Sequence, residues 1–126
     1  MEKKIFLAAS ILGLIAVVLG AFAAHGLRDA LNPTSLESFQ TGVRYQMYHA
    51  FFLFVVGLMP QLQPQQKKGL FWLVLLGVLL FSGSIYLLAT NALTPIDFAF
   101  LGPVTPLGGL LLISAWGVLA FYLIKH

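Results

Sequence analysis

From Ile5 to Ala24 the chain runs for twenty residues without a single charged side chain. A helix crossing about 30 Å of hydrocarbon needs roughly 20 mostly apolar residues. This stretch alone therefore predicts a membrane-spanning helix. The whole chain agrees with it: 60% of the 126 residues are hydrophobic and only 9% are charged. Soluble domains average about 45–50% apolar and about 25% charged residues. A water-soluble fold of this size has no interior large enough to hide that much apolar surface, so the surrounding solvent is lipid.

Three more spans follow from the same reasoning. The second covers about residues 41–60. Thr34 and Glu37 have capping-box spacing just after Pro33, which predicts a helix start near Ser35, and Pro60 closes the helix. At about 25 residues this helix is roughly 38 Å long, so its first turns are expected to stand outside the hydrocarbon. The third and fourth spans cover about 69–89 and 105–124. Short connections favour antiparallel neighbours. The expected fold is all-α, a single domain over 1–126 forming an integral membrane bundle of four transmembrane helices.

The net charge of +3 does not point to nucleic acid. Its basic residues sit in pairs beside apolar runs, Lys3 with Lys4 and Lys67 with Lys68, as membrane topology requires. With four spans these lysines and Lys125 share one face, which the positive-inside rule places in the cytoplasm together with both termini. The chain has no cysteine, which excludes disulfides, thiolate catalysis and cysteine-ligated metals. One rival concerns the first span. Lys3, Lys4, the apolar run and Ala21-Phe22-Ala23 resemble a cleavable signal peptide. The run is longer than the 7–15 residues of such a core, which favours an uncleaved helix.

Polar side chains at membrane depth are costly, about 2.5–3.5 kcal/mol for a charge at a helix centre on insertion scales, so their positions are informative. They gather toward the outer leaflet. His25 ends the first span; Arg44, Gln46 and His49 lie in the outer half of the second. Ser82, Ser84 and Tyr86 lie in the outer half of the third, and Thr105 begins the fourth. Gly42, Tyr45, Gln46 and His49 share one helix face, and Ser82 and Tyr86 share another. Two readings stay open. In one, these groups form an outward-opening polar pocket that holds a small polar or anionic ligand against Arg44 and His49. In the other, they are a hydrogen-bonded knot that fixes helix packing, as Ser, Thr, Gln and His commonly do between helices. Arg44 also has the simple role of snorkelling to the headgroups.

Small residues recur every four positions on the first helix (Ala16, Gly20, Ala24, and Ala9 with Gly13), and Gly108, Gly109, Ser114, Ala115, Gly117 and Ala120 thin the fourth. Such stripes let helices approach closely. The segment Gly102-Pro103-Val104-Thr105-Pro106-Leu107-Gly108-Gly109 reads as a rigid helix start. Its sharper reading is a helix N-terminus whose amides bind an anion.

Four segments together resemble a known family. They are Gly20-Ala21-Phe22-Ala23-Ala24-His25-Gly26-Leu27, the run Phe39 to Ala50, Phe81-Ser82-Gly83-Ser84-Ile85-Tyr86, and Gly102 to Gly109. In this order and over nearly the whole chain they resemble domain-of-unknown-function family 423, the transmembrane protein 256-like small membrane proteins. Ala23 stands where a second glycine is common in that family. The resemblance implies a multi-pass protein of the bacterial inner membrane with an uncleaved first helix. It implies no reaction, substrate or catalytic residue.

The residues themselves carry no catalytic signature. There is no His-Glu-x-x-His, no phosphate-cradling glycine loop and no intramembrane carboxylate pair. Ser82 and Ser84 lack a demonstrable base, and serines in membrane helices usually bond to backbone. His25 and His49 are candidate haem ligands by type, but their depths match poorly. No enzyme activity, metal or cofactor is expected. The expected function is an architectural or accessory inner-membrane protein; the alternative is a small transporter or ligand-binding protein. Expected partners are membrane lipid and, unidentified, copies of the chain or a larger membrane complex, with nucleic acid excluded.

Overall fold

The computed structural model describes residues 2–126, and among these it is all-helical. Four α-helices follow one another: α1 (Glu2–His25), α2 (Pro33–Leu58), α3 (Pro64–Ala89) and α4 (Val104–Lys125). Two single 3-10 turns, Asn91–Leu93 and Ala99–Leu101, fill the connection from α3 to α4. α1, α3 and α4 with the turn before it are long and apolar enough to cross a membrane. α2 is as long as α3, but Thr34, Glu37, Thr41, Arg44, Gln46 and His49 make it less apolar.

Helix boundaries follow local chemistry. α2 begins two residues earlier than the Thr34–Glu37 spacing predicts. Asn32 is its N-cap, with the side-chain oxygen accepting from the Ser35 amide at 2.8 Å, and Pro33 occupies the first helical position. Asn is a stronger cap than Thr, and Pro at N1 gives up a donor that had no partner. α3 likewise starts at Pro64, ahead of its apolar run. Gln63 and Gln66 form a reciprocal capping box there, so Lys67 and Lys68 lie inside the helix.

The helices pack in chain order, α1 on α2, α2 on α3 and α3 on α4, while α1 and α4 share no packed seam. The bundle is therefore open, with α2 and α3 central. Contacts along each seam are antiparallel. Phe6 meets Gly57 and Gly20 meets Val43; Gly42 meets Tyr86; Gly77 meets Leu112 and Gly108 meets Phe81. α1 buries Ile5, Ala9, Ala16 and Ala23, so its buried alanines recur at seven residues. Gly20 is half-buried and Ala24 exposed, which leaves the four-residue stripe off the seam. A seven-residue repeat is the geometry of a left-handed helix pair. α4 buries Gly108, Leu112, Ala115 and Leu119.

The outer surface is apolar. Leu14, Leu79, Ile113 and Ile124 are all more than 60% exposed, which is unfavourable in water and neutral in hydrocarbon. The main core joins Ile5, Leu53, Val56, Leu70, Val74, Leu112 and Ala115 from all four helices. A smaller cluster of Ala23, Leu27, Leu31, Phe39 and Ala89 closes the end remote from the termini.

Candidate functional site

The helix periodicity of α2 aims Gly42, Gln46, His49, Ala50 and Leu53 inward. Gln46, 3% exposed, bridges three helices. Its amide nitrogen donates to the Leu12 carbonyl of α1 at 2.8 Å, and its oxygen accepts from the Tyr86 hydroxyl of α3 at 2.7 Å. One turn away, Ser82 donates to the Gly42 carbonyl at 2.7 Å. A carbonyl has a second lone pair to spare, so Leu12 and Gly42 accept these bonds without losing their helical ones.

His49 points to the other side of α2, toward α4. Its Nδ1 lies 2.6 Å from the Tyr45 carbonyl, and the Trp116 indole N–H reaches its Nε2 at 3.2 Å. A carbonyl only accepts and an indole N–H only donates, so the ring is the neutral tautomer with the proton on Nδ1. Phe52 packs edge-on against Trp116 at 4.6 Å and covers the pair.

Ser84, two residues beyond Ser82, faces the opposite flank of α3. It donates to the Phe81 carbonyl at 3.0 Å and shares a hydroxyl–hydroxyl hydrogen bond with Thr105 of α4. Arg44 is exposed and turns back to Thr41 Oγ1 at 3.0 Å. His25 is exposed at the end of α1.

The eight residues singled out in the sequence thus divide among three separate hydrogen-bonded groups and the surface. Gln46, Ser82 and Tyr86 serve α1–α2–α3, His49 serves α2–α4, and Ser84 with Thr105 serves α3–α4. Arg44 and His25 join none of them. Among the described residues, no buried side-chain nitrogen or oxygen lacks a hydrogen-bond partner.

Sequence reasoning missed two participants. Trp116 is half exposed on α4, and an isolated Trp in a span reads as lipid-facing. Lys67 was read only as a topology charge. It is 5% exposed; its ammonium donates to Glu2 at 2.7 Å and to the Gly57 carbonyl at 2.9 Å. It thereby joins α1, the C-terminal end of α2 and α3, where a cation also suits the α2 dipole. Lys67, Leu70, Phe71 and Val74 stand at i, i+3, i+4 and i+7, a periodicity that marks Lys67 as inward-facing.

Three cavities border these residues. One, about 410 Å³, lies at the end remote from the termini between the first turns of α2 and α4; Thr34, Ser35, Ser38, Leu88 and Thr105 line it. Thr105 is the only one of the eight on its wall. Another is a groove of about 470 Å³ between α1 and α3, floored by Gln46 and Tyr86. The third, about 280 Å³, lies where α2, α3 and α4 meet and is lined by Tyr45, His49, Phe81 and Trp116.

Residues 19–109 match a family model described as "Protein of unknown function (DUF423)". The chain is similar to the UPF0382 membrane protein YwdK of Bacillus subtilis, 37% identical over 98% of both chains. It is also similar to a UPF0382 membrane protein of Haemophilus influenzae, 36% identical over 96% of this chain and 94% of the relative. The UPF0382 inner membrane protein YgdD of Escherichia coli is 36% identical over 88% of this chain and 82% of its own length. No solved structure matches the chain. These relatives and the long apolar helices place it as a multi-pass protein of the cell's inner membrane.

Proposed function

The chain belongs to the DUF423 family of membrane proteins of unknown function, and from that premise we propose that it is an architectural or accessory inner-membrane protein without catalysis of its own. The observation that carries this reading is the satisfaction of its buried polar groups: among the described residues each already has a partner in the chain. A transport or catalytic site needs polar atoms with capacity left for a substrate. Here Gln46, His49, Ser82 and Tyr86 each bond to a neighbouring helix, and the groups tie all four helices together. Partners on this reading are lipid and other membrane proteins or copies of the chain, which meet the apolar outer faces of α1 and α4.

Four spans with cytoplasmic termini belong to the same proposal. α2 has the length to cross, and its last third, Ala50 to Leu58, is uninterruptedly apolar. Glu2 meets Lys67, and Lys125 lines a small cavity with Gln61, Gln63 and Gln66, which gathers the lysines at the end expected to face the cytoplasm.

Replacing His49 with Ala tests the reading. The expected result is a lower melting temperature and no change in solute flux through vesicles reconstituted with the folded variant. Unchanged stability with an altered flux overturns it. One observation favours the second reading, a small transporter or ligand-binding protein: the cavity of about 410 Å³ lined by four hydroxyl side chains, Thr34, Ser35, Ser38 and Thr105. Replacing Thr105 with Val would then abolish an uptake activity that His49→Ala leaves in place.

A further inference from the structure

α1 and α3 are held together at one end and apart at the other. At the end that carries the termini, Lys67 pins α3 to Glu2 of α1, and Ile5 and Ala9 enter the core beside Leu70 and Val74. Toward the remote end a groove of about 470 Å³ lies between the two helices. Leu12, Ile15 and Leu19 form one wall, and Leu75, Leu79 and Gly83 belong to the other. From Leu75 to Tyr86 the groove runs about 16 Å along α3, at 1.5 Å per residue. That is about half of a 30 Å hydrocarbon core, the depth of a single leaflet.

Water does not suit this space. A bound water needs two to four polar partners, and the polar side chains on the floor, Gln46 and Tyr86, are bonded to each other. Gly83 adds an independent observation. Gly42, Gly77 and Gly108 each face a neighbouring helix so closely that an added Cβ would lie within 3.0 Å of it, whereas a Cβ on Gly83 meets no atom of the chain within 4 Å. Glycine inside a helix costs about 1 kcal/mol relative to alanine, and at Gly83 helix packing does not explain it. Gly83 leaves this stretch of the groove wall without a side chain.

We propose that the groove between α1 and α3 is a binding site for one acyl chain of a phospholipid from the leaflet remote from the termini. The groove is continuous with the lipid-facing surface through its exposed lip, Ile15 and Leu79, so a tail enters sideways from the bilayer. A helix from a second copy would need a groove running the full height of the molecule, and the Lys67–Glu2 end closes this one halfway. The site is independent of whether the protein is architectural or a transporter.

The test uses the full chain in nanodiscs of phosphatidylethanolamine and phosphatidylglycerol, released into detergent for native mass spectrometry. Wild type is expected to retain one phospholipid per chain. Gly83→Leu fills the groove and is expected to lower that occupancy at least tenfold. Gly117→Leu, whose Cβ also meets nothing within 4 Å but which lies outside the groove, is expected to retain it. In wild type, phosphatidylethanolamine with a mid-chain diazirine should crosslink to Leu12, Ile15, Leu75 or Leu79. Equal retention in wild type and Gly83→Leu overturns the proposal. So do unsaturable, annular-only binding, a Gly83-dependent dimer without lipid, and crosslinks spread evenly over the outer surface. The crosslinking pattern decides the matter even if Gly83→Leu does not fold.

Discussion

The two outer helices are attached to the central pair in different ways. α1 meets α2 through alanines spaced by seven residues, with room left at its glycines. A Cβ on Gly20 would sit 3.5 Å from Val43, and one on Gly13 would sit 4.0 Å from Ala50 and Met47. The tight glycine of this seam, Gly57, faces the ring of Phe6, a side chain that has freedom to turn. α4 meets α3 backbone to backbone. A Cβ on Gly108 would lie 2.3 Å from the Phe81 nitrogen and 2.7 Å from the Leu80 carbonyl carbon. Without a hydrophobic force between helices in lipid, association rests on close packing and interhelical hydrogen bonds. The α3–α4 seam relies mainly on the first. The α1–α2–α3 contact leans on the second, through Gln46 and Lys67, and a groove lies between α1 and α3.

The largest effect expected from breaking this contrast is at Gly108. Gly108→Ala has only backbone to push against, so α4 must move away, at a cost of about 3 kcal/mol, the upper part of the usual range for overpacking. Unfolding in mixed micelles measures it, and a loss below about 1 kcal/mol would mean that the α3–α4 contact is looser than described. Next comes Lys67→Met, which removes the partner of the Gly57 carbonyl and of Glu2; a buried acceptor left unpaired costs about 1–3 kcal/mol. The same unfolding assay should show Glu2→Gln doing much less, because it spares the bond to Gly57.

Gln46→Leu is expected to cost about 1 kcal/mol, since interhelical hydrogen bonds in membranes average about 0.6 kcal/mol with a maximum near 1.7. Combining it with Tyr86→Phe should cost less than the sum of the two single changes, because the second removes a hydroxyl already orphaned. Strict additivity would show that the bond between them carries nothing. The smallest effect belongs to Gly20→Ala. Its Cβ falls at ordinary contact distance, and alanine favours the helix by up to about 1 kcal/mol, so stability should hold or rise slightly. A loss like that at Gly108 would erase the distinction between the two seams.

Much of this was legible in the residues. The uninterrupted apolar run from Ile5 to Ala24 predicts α1, and the antiparallel order follows from short connections. Of the polar residues singled out in the outer half, Gln46, His49, Ser82, Ser84 and Tyr86 are hydrogen-bonded between or within helices. Their gathering into one pocket did not follow. Ser82 and Ser84 are adjacent in depth, yet two residues turn a helix by about 200° at 3.6 residues per turn, so they serve different seams. Arg44, two residues before Gln46, faces away from it for the same reason.

What the sequence determined by itself is lipid as the solvent, the all-helical fold and the family, because apolar run length and motif order are properties of the chain alone. Only the tertiary structure decided which partner each polar group takes and where space remains. Trp116 reaches His49 across the α2–α4 flank, Lys67 reaches Glu2 at the base of the α1–α3 pair, and a groove opens beside Gly83. None of these is a local property. Each depends on how far apart two helix axes stand, and that distance is set jointly by the small residues of every seam.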